Sequence, residues 1–120
     1  MKNNYNNNYQ FNRNSIFKKN KRIYKRLKYN DTIIITSING EKTNLKLQGI
    51  NLSISGIGFV SRSKFEINDV LEVIFKYDKI TIPAIVQVMH ISIYDNGYFI
   101  GGQFVALHNT YIEILKQELS

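Results

Sequence analysis

From Thr32 to Leu107 the chain is a succession of short β-branched and aromatic runs, apolar at every second position and separated by turn residues. A period of two rather than 3.6 commits each run to a strand with one buried face. Six strands are predicted, at residues 32–38, 45–54, 57–61, 70–77, 80–93 and 98–107. Asn39-Gly40 closes the first hairpin, because both residues accept positive φ. Two runs change phase. The second passes from Leu45 and Leu47 to Ile50, Leu52 and Ile54, which suggests a bulge at Gly49. The fifth passes from Ile80, Ile82, Ala84, Val86 and Val88 to Met89, Ile91 and Ile93, as a bending barrel strand does. After residue 107 the period becomes helical. Thr110 and Glu113 have capping-box spacing, and Tyr111, Leu115 and Leu119 share a face. The expected fold class is mainly β: a six-stranded antiparallel β-barrel with a short C-terminal helix and a flexible basic N-terminal arm.

Charge is distributed unevenly. Nine of the 16 Lys and Arg and none of the nine acids lie in residues 1–30, so the net +7 belongs wholly to the first quarter. Seven Asn in the first fourteen residues make residues 1–15 a low-complexity segment expected to be disordered. Residues 16–31 form a basic arm, and the folded domain is expected over 32–120. The 120 residues suffice for one domain. The absence of Cys, of a signal-peptide core and of any apolar run of membrane-spanning length points to a cytoplasmic protein with no membrane span.

Catalytic chemistry has little to build on. The only imidazoles, His90 and His108, have no companions at metal-ligand spacing, and each has a structural explanation: a strand phase change for one, the helix start for the other. The carboxylates are scattered, and Ser53 and Ser55 do not stand in a nucleophile elbow. No enzyme, metal or cofactor is expected.

Binding chemistry is better represented. Arg22 and Arg26 stand four apart in RIYKR; guanidinium can pair phosphate bidentately, bond the O6 and N7 edge of guanine, or stack on it. In NLSISG, residues 51–56, Asn51 and Ser53 alternate with Leu52 and so share one strand face. Gly56 removes a side chain where a planar base or a second backbone would need room.

RIYKR followed by NLSISG resembles the paired signature of the PilZ family, R-x-x-x-R and then [D/N]-x-S-x-x-G on a six-stranded barrel. Gly101 and Phe104 in YFIGGQF match its late G-x-x-F, and a terminal helix closes many such domains. The resemblance runs from about Lys21 to the end of the chain. It implies a receptor for cyclic di-GMP that changes conformation on binding and signals to a separate protein effector. Carried over, Arg22 and Arg26 grip phosphate and guanine, Asn51 and Ser53 bond a guanine, and Gly56 leaves space. Lys21, just before the first Arg, and Gly101 join the set. Ser55 replaces a frequent Gly and Gln103 a common Arg, and Lys21 leaves open whether one ligand or an intercalated pair binds. Two other classes compete: a small basic barrel for RNA or DNA, against which the lack of an aromatic-lined strand face argues, and an adaptor that binds no nucleotide.

Overall fold

The computed structural model describes residues 9–10 and 27–119. The strands are β1 (Tyr9–Gln10), β2 (Leu27–Ile38), β3 (Glu41–Ser53), β4 (Gly56–Ser61), β5 (Val70–Tyr77), β6 (Ile80–Tyr94) and β7 (Gly97–His108), and a helix, α1 (Asn109–Leu119), follows them. All pairings are antiparallel. The order β7-β4-β3-β2-β5-β6 returns to β7 through the β6–β7 ladder, so six strands form a ring. The ring is not strictly a barrel, because β5 covers β6 only as far as Gln87.

Hairpin chemistry sets the connections. Asn39 and Gly40 both take positive φ, 51° and 90°, as the sequence predicts. Asp78 and Lys79 do the same at 51° and 72° between β5 and β6, a turn that carries no glycine to announce it. Inside the ring, Phe75 stacks on Phe104 with centroids 5.6 Å apart, and Phe59 meets Phe65 edge-on at 5.8 Å. Leu52, Ile82, Val86, Ile100 and Leu107 fill the space around them without solvent exposure. Helix α1 closes one end with Ile112 and Leu115 in the same core. His108 caps it, its Nδ1 accepting from the Thr110 amide at 3.1 Å. Thr110 lies inside the helix and does not form the expected capping box with Glu113.

The boundaries drawn from sequence shift at the amino-terminal side. Two residues of the tail expected to be disordered, Tyr9 and Gln10, pair with His108 and Leu107. The sheet begins at Leu27 instead of Thr32, so the last five residues assigned to the arm belong to β2. Lys28, Asn30 and Asp31 are poor strand formers, and tertiary contacts hold them there. The Tyr29 hydroxyl donates to the Lys76 carbonyl, its ring lies against Gly49 and meets Phe75 edge-on, and Gln48 Nε2 donates to Asn30 Oδ1 at 2.7 Å.

Burial, and secondarily the Asp31 carboxylate, push the Tyr29 hydroxyl up to about 12 from its ordinary 10.0. The native state therefore holds this proton more tightly than the unfolded chain. The resulting stability is complete below pH 10 and lost as pH rises towards 12. Denaturation midpoints of wild type should fall more steeply across that window than those of Tyr29→Phe, which has no proton to release; parallel curves would contradict the assignment.

Candidate nucleotide site

Two bulges decide which side chains face outward. In β3 the inward series through Leu45 and Leu47 would turn residue 51 into the core. The register shift between Gly49 and Asn51 in the β3–β4 ladder reverses this, burying Leu52 and turning Asn51 out. In β6 the inward series Ile82, Ala84, Val86, Val88 would bury residue 90. A shift between Val88 and His90 turns His90 outward instead.

Both reversals deliver to the same row of the sheet. Asn51 pairs with Gly58, Gly58 with Gly101, and Gly101 with His90. With strands about 4.8 Å apart, Asn51 and His90 stand roughly 14 Å from one another across a floor of two glycines. The next row runs Ser53, Gly56, Gln103, Gln87. Together these rows, Gln87 apart, line an open pocket of about 430 Å³, walled also by Ser55, Met89 and Phe99.

Each glycine has its own reason. A methyl group on Gly58 would lie 2.5 Å from Asn51 Oδ1 and 2.9 Å from the Phe99 ring, so glycine lets both side chains lie across this strand. Gly101 meets only ordinary contacts, the nearest at 3.4 Å from His90 Cβ, and its bareness widens the floor. Gly56 differs: a methyl group there would fall 2.0 Å from the Gly102 carbonyl oxygen. Of the two reasons its place in the sequence allows, a planar base or a second backbone, the backbone of β7 occupies the space beside Gly56, so this glycine permits strand packing.

The polar groups divide into engaged and available. Ser53 is only 6% exposed; its Oγ pairs with Ser55 Oγ at 2.9 Å and accepts from the Ser55 amide at 3.2 Å, which fixes the β3–β4 turn. The Asn51 side chain is half-buried and makes no hydrogen bond to any described residue. Its amide can therefore offer a donor and an acceptor to one base edge. His90 and Phe99 face each other at 6.0 Å and 57°, an aromatic wall opposite Asn51. The structure thus brings together Asn51, Ser53, Gly56 and Gly101 from the set marked in the sequence. Lys21, Arg22 and Arg26 lie outside the described residues. Gly58, His90 and Phe99 were missed; the phase change at Met89 was the visible signal for His90. A second hollow, of about 300 Å³ between Lys46, Arg62, Tyr94 and Tyr98, contains none of the marked residues. No cluster of metal-ligating side chains is present among the described residues, and none of their helices is long and apolar enough to cross a membrane.

The outer face of a six-stranded antiparallel ring thus carries a pocket lined by glycines and a few polar and aromatic side chains. The family model for the PilZ domain matches residues 20–120, and the chain belongs to that family. Among solved structures it is similar to the Bacillus subtilis inhibitor of motility MotI/DgrA, with a TM-score of 0.67 and 16% identity over 79% of this chain. It spans about half of that protein, 47% of its length. It is also similar to the structure described as the PilZ domain with c-di-GMP of YcgR from Escherichia coli, with a TM-score of 0.63 and 14% identity, covering 83% of this chain and 89% of that one. No curated protein matches it in sequence.

Gly56→Ala and Gly58→Ala should separate fold from site. The first forces a methyl group against backbone and should cost about 1–3 kcal/mol or more in chemical denaturation. The second meets only movable side chains, so stability should be nearly unchanged while the amide resonances of Asn51 and Phe99 shift. Equal destabilisation by both would show that Gly58 also serves packing alone.

Proposed function

We propose that this chain is a receptor for cyclic di-GMP that binds without altering it and signals to a separate protein. The observation that carries this reading is the convergence of Asn51, Gly58, Gly101 and His90 on one outward-facing row next to the entry of the basic arm. Leu27 pairs with Leu52 and Lys28 with Asn51, so Arg26 is one peptide, about 3.8 Å, from a residue in register with the site. Arg22 is five residues from Leu27, within roughly 18 Å along the chain. Both guanidinium groups can reach a ligand that rests on the glycine floor.

In the proposed complex Asn51 reads a guanine edge, the His90–Phe99 wall packs against a base, and Arg22 and Arg26 take phosphate and guanine. Lys21 and Lys28 add positive charge; Lys28 is exposed and directly opposite Asn51. Ser53 acts mainly by holding the turn, and its two bonds to Ser55 leave its hydroxyl one remaining site, a lone pair or its proton, for the ligand. A nucleotide held between arm and sheet changes the surface that an effector meets, which suffices for signalling by a domain that does no chemistry.

Isothermal titration with cyclic di-GMP, using GTP and linear pGpG as controls, tests the reading. Saturable binding of the cyclic ligand alone is expected. Arg22→Ala and Arg26→Ala should each cost roughly 1.5–3 kcal/mol of binding energy, the range for charge-assisted bonds, whereas Lys18→Ala and Lys19→Ala should cost little. Equal losses at all four positions would indicate a diffuse electrostatic patch, and no binding by wild type would refute the receptor function.

A further inference from the structure

Among the described residues, the sheet leaves an edge unpaired beside the pocket. From Met89 to Tyr94, β6 pairs with β7 on one side, and among the described residues no strand pairs with it on the other. The loop before β5 reaches only Val88, through Val88 N to Asp69 O at 2.9 Å and Asn68 N to Val88 O at 2.7 Å. Tyr94 and Gly97 close a two-residue turn, so they bond to each other. Alternation then points the amide and carbonyl of Ile91 and Ile93 at the open edge. Side chains there are equally uncovered: Ile93 is 84% exposed, Tyr94 and Met89 each 48%. Soluble monomers blunt such edges with Lys, Pro or inward charge, and MHISIY, residues 89–94, has none of these.

We propose that two copies of this chain pair antiparallel through this edge, about a two-fold axis at Ser92. Symmetry fixes the register. Ile91 opposes the partner's Ile93, so the outward backbone groups of both strands are satisfied and the isoleucines cover one another. Ser92 opposes the partner's Ser92, and no like charges meet. His90 opposes the partner's Tyr94. Because His90 lines the pocket, the second copy places an aromatic ring at the pocket wall, and the pocket is complete only in the dimer. An interface of this size is small, so the dimer is weak and concentration-dependent. Coupling to the pocket rests on the function proposed above; the pairing itself does not.

Sedimentation equilibrium of the ligand-free full chain tests the pairing. With increasing concentration the mass should rise from 14.0 kDa towards twice that value. Ile93→Lys puts a charge on the edge, and Ile93→Pro removes an outward amide without breaking a β6–β7 bond. Each should raise the dissociation constant at least tenfold with an unchanged melting temperature. The register has its own test because the chain contains no Cys. Residues opposed at a non-bonded antiparallel position have Cα atoms about 4.5 Å apart, within disulfide reach. Ser92→Cys should oxidise to a covalent dimer, and Thr81→Cys, on the exposed part of the same strand, should not. The trapped dimer should bind cyclic di-GMP several-fold more tightly than Ile93→Lys. A monomer at every concentration, whatever then covers the edge, overturns the proposal, as does a dimer that tolerates both Ile93 variants. Dimerisation without any nucleotide binding would leave the pairing standing and defeat the receptor function instead.

Discussion

Two extra residues, one in β3 before Asn51 and one in β6 before His90, govern this structure. In a strand with one buried face, a shift of one residue exchanges inside for outside. Without the bulges Asn51 and His90 would be polar groups in a core of isoleucine and phenylalanine, where each unsatisfied atom would cost on the order of 1–3 kcal/mol. With them the two side chains stand at opposite ends of one outward row, and the strands between contribute glycine at that level. Core packing and pocket geometry therefore come from the same register. Leu52 and Ile91 occupy the inner positions that Asn51 and His90 have left.

The close approach of β4 to β7 complements this arrangement. The Gly56 backbone sits against the Gly102 carbonyl, and the Ser55 carbonyl accepts from the Phe104 amide at 2.9 Å, which anchors the tip of the β3–β4 hairpin to β7. The chain enters β2 at Leu27 beside the same hairpin, opposite Leu52. The basic segment that precedes Leu27 is thus tethered at the pocket by its covalent end, whatever its own conformation. The second half of β6 runs on past β5 and carries both a pocket wall and, among the described residues, an unpaired edge. In the proposed dimer His90 is the residue shared by the pocket and the paired edge.

Much of the fold was legible because it rests on local rules. Alternation located six strands, Asn39-Gly40 announced its turn, and both phase changes marked real bulges. What the sequence concealed depends on residues distant along the chain. Gly56 could have made room for a base or for a backbone, and only the presence of β7 decides for the backbone. His90 was visible as a phase change, but its place in a row with Asn51 follows from three inter-strand registers. Ile93 continued an apolar series and looked like core, yet its hairpin extends beyond the ring. The beginning of β2 was hidden because Tyr29 and Asn30 are held by Lys76 and Gln48, contacts no local pattern encodes.

Amide chemical-shift mapping during a titration with cyclic di-GMP tests the central claim most directly, since it asks whether the row made by the two bulges is the binding surface. The account predicts saturable shifts concentrated at Asn51, Gly58, His90, Phe99 and Gly101, with Lys46, Arg62 and Tyr98 in the neighbouring hollow changing little. Shifts centred on that hollow, or confined to the basic segment with the glycine row silent, would contradict it.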